Sequence, residues 1–504
     1  MTRLIALVMA GLVALALAVM VAGTGYERLQ TRQTAYLYIA DALTPQPEKA
    51  DLVIWEAAEV ALDRPVTPGD ETRIGQALAE AWQAVSLSQE TGDTDLLSVR
   101  LTGVAQGRAE IAAAAAQEHG TRMVVLSQRV WPVFFHRDGS VFQAEVDMEV
   151  ARFALSEKGL AHFSVTRDRG VVTLMNESNG WRLFSYERRA AEPMAGQGNG
   201  QVTGPGWSGE IRGVNYYPAE TPWRAFWPGF DVNVIATDFA RMAEMGANSV
   251  RVFLPRDVFA AADGATEDLM HLAFLLDLAR FHDLSVVPTL FDMRGGYGAQ
   301  MWAEDVLYLD RVLPVLAASD AVTFVDLKNE ADLDFAAHGA GEVEAWLRAM
   351  TAVTRRIAPD LALTVGWAEA ASGTVMAEDF DLVSYHDYAP IEGAEARLSA
   401  LMAEVDKPVV VTEIGVSSYD AGLGFPGSER KQAKALAARI EALSESAGVM
   451  LWTLHDFPAV DALAVGAKPW VRKQQGAFGL IDVDGYEKPA AEVMRKAFGA
   501  SPKG

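Results

Sequence analysis

The second part of the chain alternates short apolar segments with longer segments whose apolar residues have helical spacing. Eight segments are predicted as strands, at 210–215, 247–253, 284–290, 321–327, 361–365, 381–385, 408–412 and 449–453. The intervening helices include 234–245, 268–282, 343–356 and 430–444. Eight such units in about 290 residues fit a (β/α)₈ barrel, an α/β fold. An open doubly wound sheet is the alternative, but no glycine-rich phosphate loop follows the first strand.

The first part of the chain has a different order of elements. Helical spacing near residues 72–90 and an alanine-rich helix at 111–117 come first. Strands are then predicted at 123–135, 141–155, 162–167, 171–176 and 181–188, with hairpin turns at 136–139 and 177–180. Helices followed by a meander predict an α+β domain. We assign residues 26–193 to it and residues 210–504 to the barrel.

Residues 48–190 resemble the cone-shaped domains of the nuclear transport factor 2-like superfamily, whose last hairpin often contains the Gly-Trp-Arg-Leu element found at 180–183. The resemblance implies a binding or dimerisation module, so a protein partner is expected here. Residues 194–209 are rich in glycine and have no apolar period, which predicts a linker.

The amino terminus carries an export element. Residues 4–23 are uncharged and apolar and follow Arg3. A helix of this length spans a bilayer core, so residues 1–25 are predicted as a signal anchor or a cleaved signal peptide. The corresponding locations are the inner membrane with the protein facing the periplasm, or the periplasm or exterior after cleavage.

Composition excludes several functions. The chain has 43 Lys and Arg against 67 Asp and Glu, a formal charge of −24, which argues against a nucleic-acid partner. It contains no cysteine, so disulfides, thiolate metal sites and a cysteine nucleophile are excluded.

Polar and aromatic residues cluster where the predicted barrel strands end. Two glutamates, Glu330 and Glu413, follow β-rich runs on the fourth and seventh strands. Residues beyond parallel barrel strands face one shared cleft, so these residues are predicted to form a single site. The other candidates are Asn215, Arg251, Asp292, Asn329, His386, Tyr388 and Trp452.

The barrel resembles glycoside hydrolase clan A, and most closely its family 5, over residues 208–498. The matching motifs are 213–218 (Gly-Val-Asn-Tyr-Tyr-Pro), 246–251 (Gly-Ala-Asn-Ser-Val-Arg), 329–330 (Asn-Glu), 386–388 (His-Asp-Tyr), 412–415 (Thr-Glu-Ile-Gly) and Trp452. The resemblance implies that Glu330 is the acid/base and Glu413 the nucleophile.

The same resemblance implies roles for the surrounding residues. Asn329 would bond the sugar 2-hydroxyl, and Arg251 with Tyr388 would orient Glu413. His386 would position the acid/base or the substrate, while Trp452 would form a floor on which a sugar stacks. Many family 5 members have a histidine after the third strand. This chain has Asp292 there, which is predicted to replace that contact or to bind another hydroxyl.

Elementary chemistry gives the same roles to the glutamate pair. Retaining hydrolysis needs two carboxyl groups about 5–5.5 Å apart, one as nucleophile and one as proton donor. A guanidinium beside Glu413 favours its ionised form, and the negative charge of Glu413 is expected to raise the pKa of Glu330. No metal or organic cofactor is needed. Two roles, stacking on a sugar ring and burial in the core, are both compatible with the sequence for four further tryptophans, namely Trp223, Trp227, Trp302 and Trp470.

The sequence therefore predicts an exported retaining glycoside hydrolase that acts on a β-linked polysaccharide or oligosaccharide. A non-hydrolytic component that binds polysaccharide during synthesis or export is one alternative. A transglycosylase that uses the same two glutamates is another.

Overall fold

The computed structural model describes residues 47–177, 180–194, 200–202, 209–260, 265–420, 427–466 and 468–499. The apolar segment at 4–23 and most of the predicted linker lie outside these residues. No helix within the described ranges is both long and apolar enough to cross a bilayer.

Eight parallel strands form a closed barrel in chain order, and the last strand pairs with the first. This confirms the predicted (β/α)₈ barrel and excludes the open doubly wound sheet. The strands are β6 (Ile211–Asn215), β7 (Ser249–Pro255), β8 (Ser285–Asp292), β9 (Val325–Asn329), β10 (Leu363–Trp367), β11 (Val383–His386), β12 (Val409–Ile414) and β13 (Gly448–Leu451).

All eight predicted strands are present, with ends displaced by up to four residues. The largest displacement is in β9, which was predicted at 321–327 and begins at Val325. Residues Ala321 to Phe324 are buried and mostly apolar, so they look like strand in sequence, but Val322 makes only an isolated bridge to Val286. Burial without continuous pairing explains the difference.

Helices cover the outside of the barrel, so several strands are buried on both faces. The α-helices after residue 210 are Val232–Glu244, Arg256–Phe259, Ala265–Phe281, Trp302–Ala317, Phe335–His338, Ala340–Ile357, Ala394–Glu404, Glu429–Ala442, Ala462–Val465, Pro469–Gln475 and Pro489–Ala497. The connection from β10 to β11 is instead built of two 3₁₀ turns, Ala370–Thr374 and Ala377–Asp379.

The amino-terminal unit is α+β, as predicted. Its helices are Pro68–Thr91, Asp95–Arg100 and Gly103–His119, and its sheet has the order β1 (Val53–Trp55), β2 (Thr121–Phe135), β3 (Val141–Ser156), β4 (Gly159–Glu177) and β5 (Gly180–Pro193). Strands β2 to β5 form an antiparallel meander, and β1 pairs with β2 in parallel. The resemblance to nuclear transport factor 2-like domains stays a prediction.

One prediction for this unit is wrong. The segments 162–167 and 171–176 were predicted as separate strands, but they form one 19-residue strand, β4. The charged residues between them resemble a turn in sequence. In the fold, Asp168 is fully buried and paired with Arg152 at 2.5 Å, and a bulge between Arg169 and Gly170 lets the strand continue.

The sheet of the amino-terminal unit packs against two barrel helices, Trp302–Ala317 and Ala340–Ile357. Phe153 stacks on Trp302 with ring centroids 5.3 Å apart. A Cβ atom at Gly341 would lie 2.7 Å from the backbone nitrogen of Leu160, so a larger residue does not fit there. Several buried residues of the sheet belong to the same apolar cluster as the barrel core, namely Val124, Leu126, Ala151, Phe153 and Val165.

Candidate active site

Glu330 and Glu413 lie together at the carboxyl end of the barrel. Glu330 immediately follows β9, and Glu413 is the next-to-last residue of β12. One carboxylate oxygen of each residue and one ring nitrogen of His386 all lie within 4.8 Å of one another. Two strands far apart in sequence therefore bring two acidic groups to the same point.

Glu413 is nearly fully buried, and both of its oxygens are held. Nη1 of Arg251 donates to Oε1 at 2.5 Å, and the hydroxyl of Tyr388 donates to Oε2 at 2.9 Å. Hydrogen bonds from a cation and a phenol, one to each oxygen, fix the orientation of the carboxylate. This environment suits a group that must attack as an anion.

Arg251 is fully buried and lies at the centre of a polar network. Nη2 donates to Asp326 Oδ2 at 2.7 Å and to Asn329 Oδ1 at 2.8 Å, while Nη1 also donates to Asn215 Oδ1 at 2.9 Å. Burial alone would lower the pKa of Arg251, but the charges of Asp326 and Glu413 outweigh it and raise the pKa. The guanidinium is therefore a permanent positive charge beneath the site.

His386 lies between the two glutamates. Its Nδ1 is 2.9 Å from Glu330 Oε1, and its Nε2 is 3.7 Å from Glu413 Oε1. Burial would lower the pKa of His386, but the negative charges of Glu413 and Glu330 raise it above the ordinary value of 6.5. The imidazole can thus hold a proton within hydrogen-bonding distance of Glu330.

The expected increase in the pKa of Glu330 is not found. Burial raises the pKa of Glu330, but the hydrogen bond and charge of His386, followed by the charges of Arg251 and Lys328, lower it below 4.5. The sequence argument considered only the repulsion from Glu413. It did not include a cationic imidazole in direct contact with Glu330.

Two predicted substrate-binding residues lie behind the site. Asn215 is fully buried, and its Nδ2 donates to the carbonyl oxygens of Thr412 and Leu451 at 2.9 and 3.3 Å. Asp292 is also buried, and its Oδ2 accepts from the hydroxyl of Tyr217 at 3.2 Å. Burial raises the pKa of Asp292. We expect Asn215 to act by holding Arg251, whereas a substrate contact of Asp292 stays a prediction.

Two cavities adjoin the glutamates. The larger cavity has a volume of about 1190 Å³, and its lining includes Asn329, Glu413 and Trp452. The smaller cavity has a volume of about 630 Å³, and its lining includes His386 and Glu369. Both cavities are lined by Glu330 and Tyr388. The site therefore opens in two directions from the same pair of side chains.

The tryptophans left open by the sequence fall into two groups. Trp227 and Trp302 are fully buried members of the apolar core. Trp223 and Trp470 line the larger cavity. Trp223 is buried against Phe457, with ring centroids 4.9 Å apart, whereas Trp470 is 60% exposed.

Sequence reasoning missed Asp326, which also accepts hydrogen bonds from Thr289 Oγ1 at 3.1 Å and from the backbone N–H of Gly366 at 2.8 Å. A signal was present. Asp326 and Lys328 are charged residues in a strand that is otherwise buried and leads into Glu330, and unpaired charges in such a strand would be costly. The arginine that pairs with Asp326 is 75 residues away in sequence, which concealed the contact.

Glu330, His386 and Glu413 also form the type of donor cluster that could bind a cation. However, Oε1 of Glu413 already accepts from Arg251, and Nδ1 of His386 is within hydrogen-bonding distance of Glu330. A divalent cation on these atoms would lie beside a buried guanidinium, which repels it. The charge arrangement suits acid–base chemistry better than metal binding.

No protein-family model and no curated protein matches the chain. Solved structures match parts of it. They include the exo-β-1,4-mannosidase Op5Man5 from Opitutaceae bacterium strain TAV5, with 20% identity, 57% of this chain and 59% of that chain covered, and a TM-score of 0.47. The matched region thus spans less than two thirds of that chain.

Two further matches are similar in strength. GH5_18 from Streptomyces cattleya in complex with GlcNAc has 18% identity, 58% of this chain and 82% of that chain covered, and a TM-score of 0.48. A GH2 β-galacturonidase from Eisenbergiella tayi has 15% identity, 76% and 72% covered, and a TM-score of 0.46. These TM-scores are low, so the fold rests on the strand topology and the chemistry on the site geometry.

Proposed function

We propose that this protein is a retaining glycoside hydrolase that cleaves a β-linked polysaccharide or oligosaccharide. The observation that carries the proposal is the approach of Glu330 and Glu413, with carboxylate oxygens within 4.8 Å. Inverting hydrolysis needs carboxyl groups about 6.5–9.5 Å apart, because the attacking water must fit between the sugar and the carboxylate that acts as general base. Retaining hydrolysis needs only about 5–5.5 Å. The short separation supports direct attack by a carboxylate.

In the first step, a Glu413 oxygen attacks the anomeric carbon and the bond from that carbon to the leaving oxygen breaks. Glu330 donates a proton to the leaving oxygen. The product is a glycosyl ester on Glu413 and a free alcohol. The bonds from Arg251 and Tyr388 support this role because they orient the attacking carboxylate.

In the second step, Glu330 accepts a proton from water while the water oxygen attacks the anomeric carbon. The ester bond to Glu413 breaks, and the sugar is released with its original configuration. His386 supports both steps because its Nδ1 lies 2.9 Å from Glu330. The pair can share one proton, which Glu330 delivers in the first step and recovers in the second.

Neighbouring groups provide substrate contacts. The amide oxygen of Asn329 accepts from Arg251, which leaves its amide nitrogen as a donor to a sugar hydroxyl. Trp452 lines the larger cavity and packs edge-to-face on Phe253, with ring centroids 5.9 Å apart. An indole held in this way can stack on the apolar face of a sugar ring.

The location is also a proposal. The apolar segment at 4–23 supports export, so we place the barrel on the periplasmic side of the inner membrane or beyond it. Extracellular and envelope polysaccharides are the corresponding substrates.

The test is to trap the glycosyl ester on the nucleophile. The purified protein is incubated with 2-deoxy-2-fluoroglycosyl fluorides of β-gluco, β-manno and β-galacto configuration. The 2-fluoro group slows both steps and the fluoride leaves readily, so a true nucleophile accumulates as the ester. We expect one of the three reagents to label Glu413, as shown by intact mass and peptide mapping.

Variants make the trapping experiment specific. Glu413→Gln should remain unlabelled, and Glu330→Gln should still be labelled because fluoride leaves without protonation. Labelling at another residue, or no labelling with any of the three reagents, would contradict the assignment. Binding on a glycan array without product release from mannans, mixed-linkage glucans and cellulose oligomers would instead favour the polysaccharide-binding alternative.

A further inference from the structure

We propose that the protein cleaves within a polymeric glycan rather than removing single sugars from its end. The part of the glycan that forms the ester on Glu413 lies in the larger cavity, and the part of the glycan that leaves lies in the smaller cavity. This inference rests on the proposed glycosidase function and specifies its substrate as a polymer that passes through the site.

The position of the glutamates relative to the cavities assigns the two directions. Glu413 lines only the larger cavity, whereas Glu330 lines both. The nucleophile must contact the retained sugar, and the acid must reach the oxygen shared by the two halves of the substrate. The larger cavity is therefore on the retained side of the bond, and the smaller cavity is on the leaving side.

Both cavities are large for a single sugar. Pockets for drug-sized molecules have volumes of about 300–1,000 Å³, and a monosaccharide is smaller than such a molecule. The larger cavity has about 1190 Å³ and the smaller about 630 Å³. An enzyme that releases single terminal sugars needs room for one unit on the retained side. The larger cavity exceeds that need.

The larger cavity provides stacking surface beyond the cleavage point. Its lining extends from Trp452, near Glu413, to Trp470 on the helix Pro469–Gln475. Trp470 is 60% exposed, and Lys468 Nζ lies 5.9 Å from the centre of its ring. An exposed indole in a cavity leaves apolar surface in contact with water, which is unfavourable unless a ligand buries it. The apolar face of a sugar ring can stack on the indole and bury this surface.

The smaller cavity also adjoins Glu330, and hydrogen bonds hold part of its wall in place. Carboxylate oxygens of Asp332 accept from the backbone N–H groups of Ala368 and Glu369, at 2.8 and 3.2 Å, and so fix one wall. Leu333 lines this cavity and is 61% exposed, which provides an apolar surface. Glu369 and Thr374 add exposed polar groups that can bond sugar hydroxyls.

Tyr388 connects the two cavities. It lines both of them and is 41% exposed, while its hydroxyl is bonded to Glu413. Because its hydroxyl is held by Glu413 and its side chain is partly exposed, Tyr388 forms a continuous surface between the two cavities at the point where the glycan is cut. The apolar and polar surfaces therefore extend on both sides of the reacting groups.

The first experiment measures where a chain is cut. The probes are cellohexaose, laminarihexaose, β-1,4-mannohexaose and β-1,4-galactohexaose, each with a 2-aminobenzamide label at the reducing end. The unsubstituted β-glycosyl fluorides of the same configurations serve as a reference, because their leaving group is a fluoride ion, which does not have to occupy the smaller cavity. We expect the first products of one hexasaccharide to be oligosaccharides on both sides of the cut. Release of only a monosaccharide from the unlabelled end, or cleavage of the fluoride but of no hexasaccharide, would overturn the inference.

The second experiment blocks the smaller cavity with Thr374→Trp. We expect the ratio of kcat/KM on the hexasaccharide to kcat/KM on the fluoride to fall about tenfold or more. The control is Thr237→Trp, which adds the same side chain at an exposed position on the helix Val232–Glu244 and should leave the ratio unchanged. An unchanged ratio in Thr374→Trp would overturn the inference. If the wild-type protein hydrolysed none of the glycosyl fluorides and none of the hexasaccharides, that result would instead contradict the proposed function itself.

Discussion

Asp326 Oδ2 lies 2.7 Å from Arg251 Nη2, and both side chains are fully buried within the barrel. Asp326 does not line either cavity, so its effect on the reaction must pass through the guanidinium that holds Glu413. The carboxylate compensates the buried positive charge and fixes its position. We therefore regard Asp326 as a positioning residue for the nucleophile.

Asp326→Asn should lower kcat about a hundredfold, because small displacements of reacting groups have effects of that size. KM should change little, since the substrate does not contact this side chain. Removing one partner of a buried ion pair should also cost about 3–5 kcal/mol of stability. Steady-state kinetics and urea denaturation provide the two measurements.

The matched control for this prediction is Asp305→Asn. Asp305 is also fully buried and paired with arginine, at 2.6 Å from Arg294 Nη1, but it lies outside the network of Arg251 and Glu413. The Asp305→Asn substitution should lower the free energy of unfolding without a comparable loss of kcat. Equal losses of kcat in both variants would show that Asp326 acts through general stability alone.

Azide rescue should distinguish the two glutamates by the configuration of the product. Glu413→Gly should lose at least about 10⁴-fold in kcat, as expected for loss of a nucleophile. Azide can then attack in place of the carboxylate and should give the α-glycosyl azide from a β-fluoride. Glu330→Ala retains the nucleophile, so azide should attack the ester and give the β-glycosyl azide. Proton NMR of the products would contradict the assigned roles if the two configurations were exchanged.

The pair of His386 and Glu330 should set the alkaline limit of activity. The pKa of His386 is raised above 6.5, so the shared proton is retained until the pH exceeds that raised value. In His386→Asn the proton must be held by Glu330 alone, whose ordinary pKa is 4.5. The alkaline limb of kcat/KM should therefore move to lower pH. An unchanged limb would show that another group supplies the proton.

The same pair also contributes to the pH dependence of stability. A histidine with a raised pKa in the folded state contributes stability that is complete below 6.5 and is lost as the pH rises through the folded value. Glu330 has a lowered pKa, so its contribution is present above 4.5 and is lost as the pH falls through the folded value. His386→Asn should therefore reduce Tm most at pH values between these limits.

The barrel and the glutamate pair could be predicted from the sequence because local patterns specify them. Each buried strand is a short β-rich run, and in a parallel barrel all strand ends meet at one rim. Knowing that Glu330 and Glu413 end such strands was enough to place them together. The exact ends of β9 could not be predicted, since residues 321–324 are buried without continuous pairing.

The polar network beneath the site was harder to predict. The contact between Arg251 and Asp326, and that between His386 and Glu330, depend on side-chain packing between different strands. The strand break predicted near Asp168 failed for the same reason, because Arg152 compensates that charge. Isolated charges in a sequence cannot be interpreted without the partners that the fold brings to them.

A partly buried glutamate at the boundary between the two units should make stability depend on pH. Burial, and then the charge of Glu90, raise the pKa of Glu342 to about 7, and Arg122 opposes this. The folded state thus binds more protons than the unfolded chain between pH 4.5 and about 7, so stability should fall as the pH rises through this range. Glu342→Gln should flatten that part of the Tm profile. Glu118→Gln changes an exposed carboxylate and serves as the control, and an equal effect of both variants would refute the explanation.

The packing of the amino-terminal sheet on the barrel should make the two units unfold together. Phe153 is 2% exposed and stacks on Trp302, so Phe153→Ala removes buried apolar area from a core shared by both units. We expect a loss of about 3–5 kcal/mol in the free energy of unfolding, with a single transition in the wild-type protein. Phe134→Ala, at a residue of the same sheet that is 36% exposed, should cost much less. Circular dichroism and tryptophan fluorescence would follow the unfolding of both units, and two separate wild-type transitions would show that the shared core does not couple them.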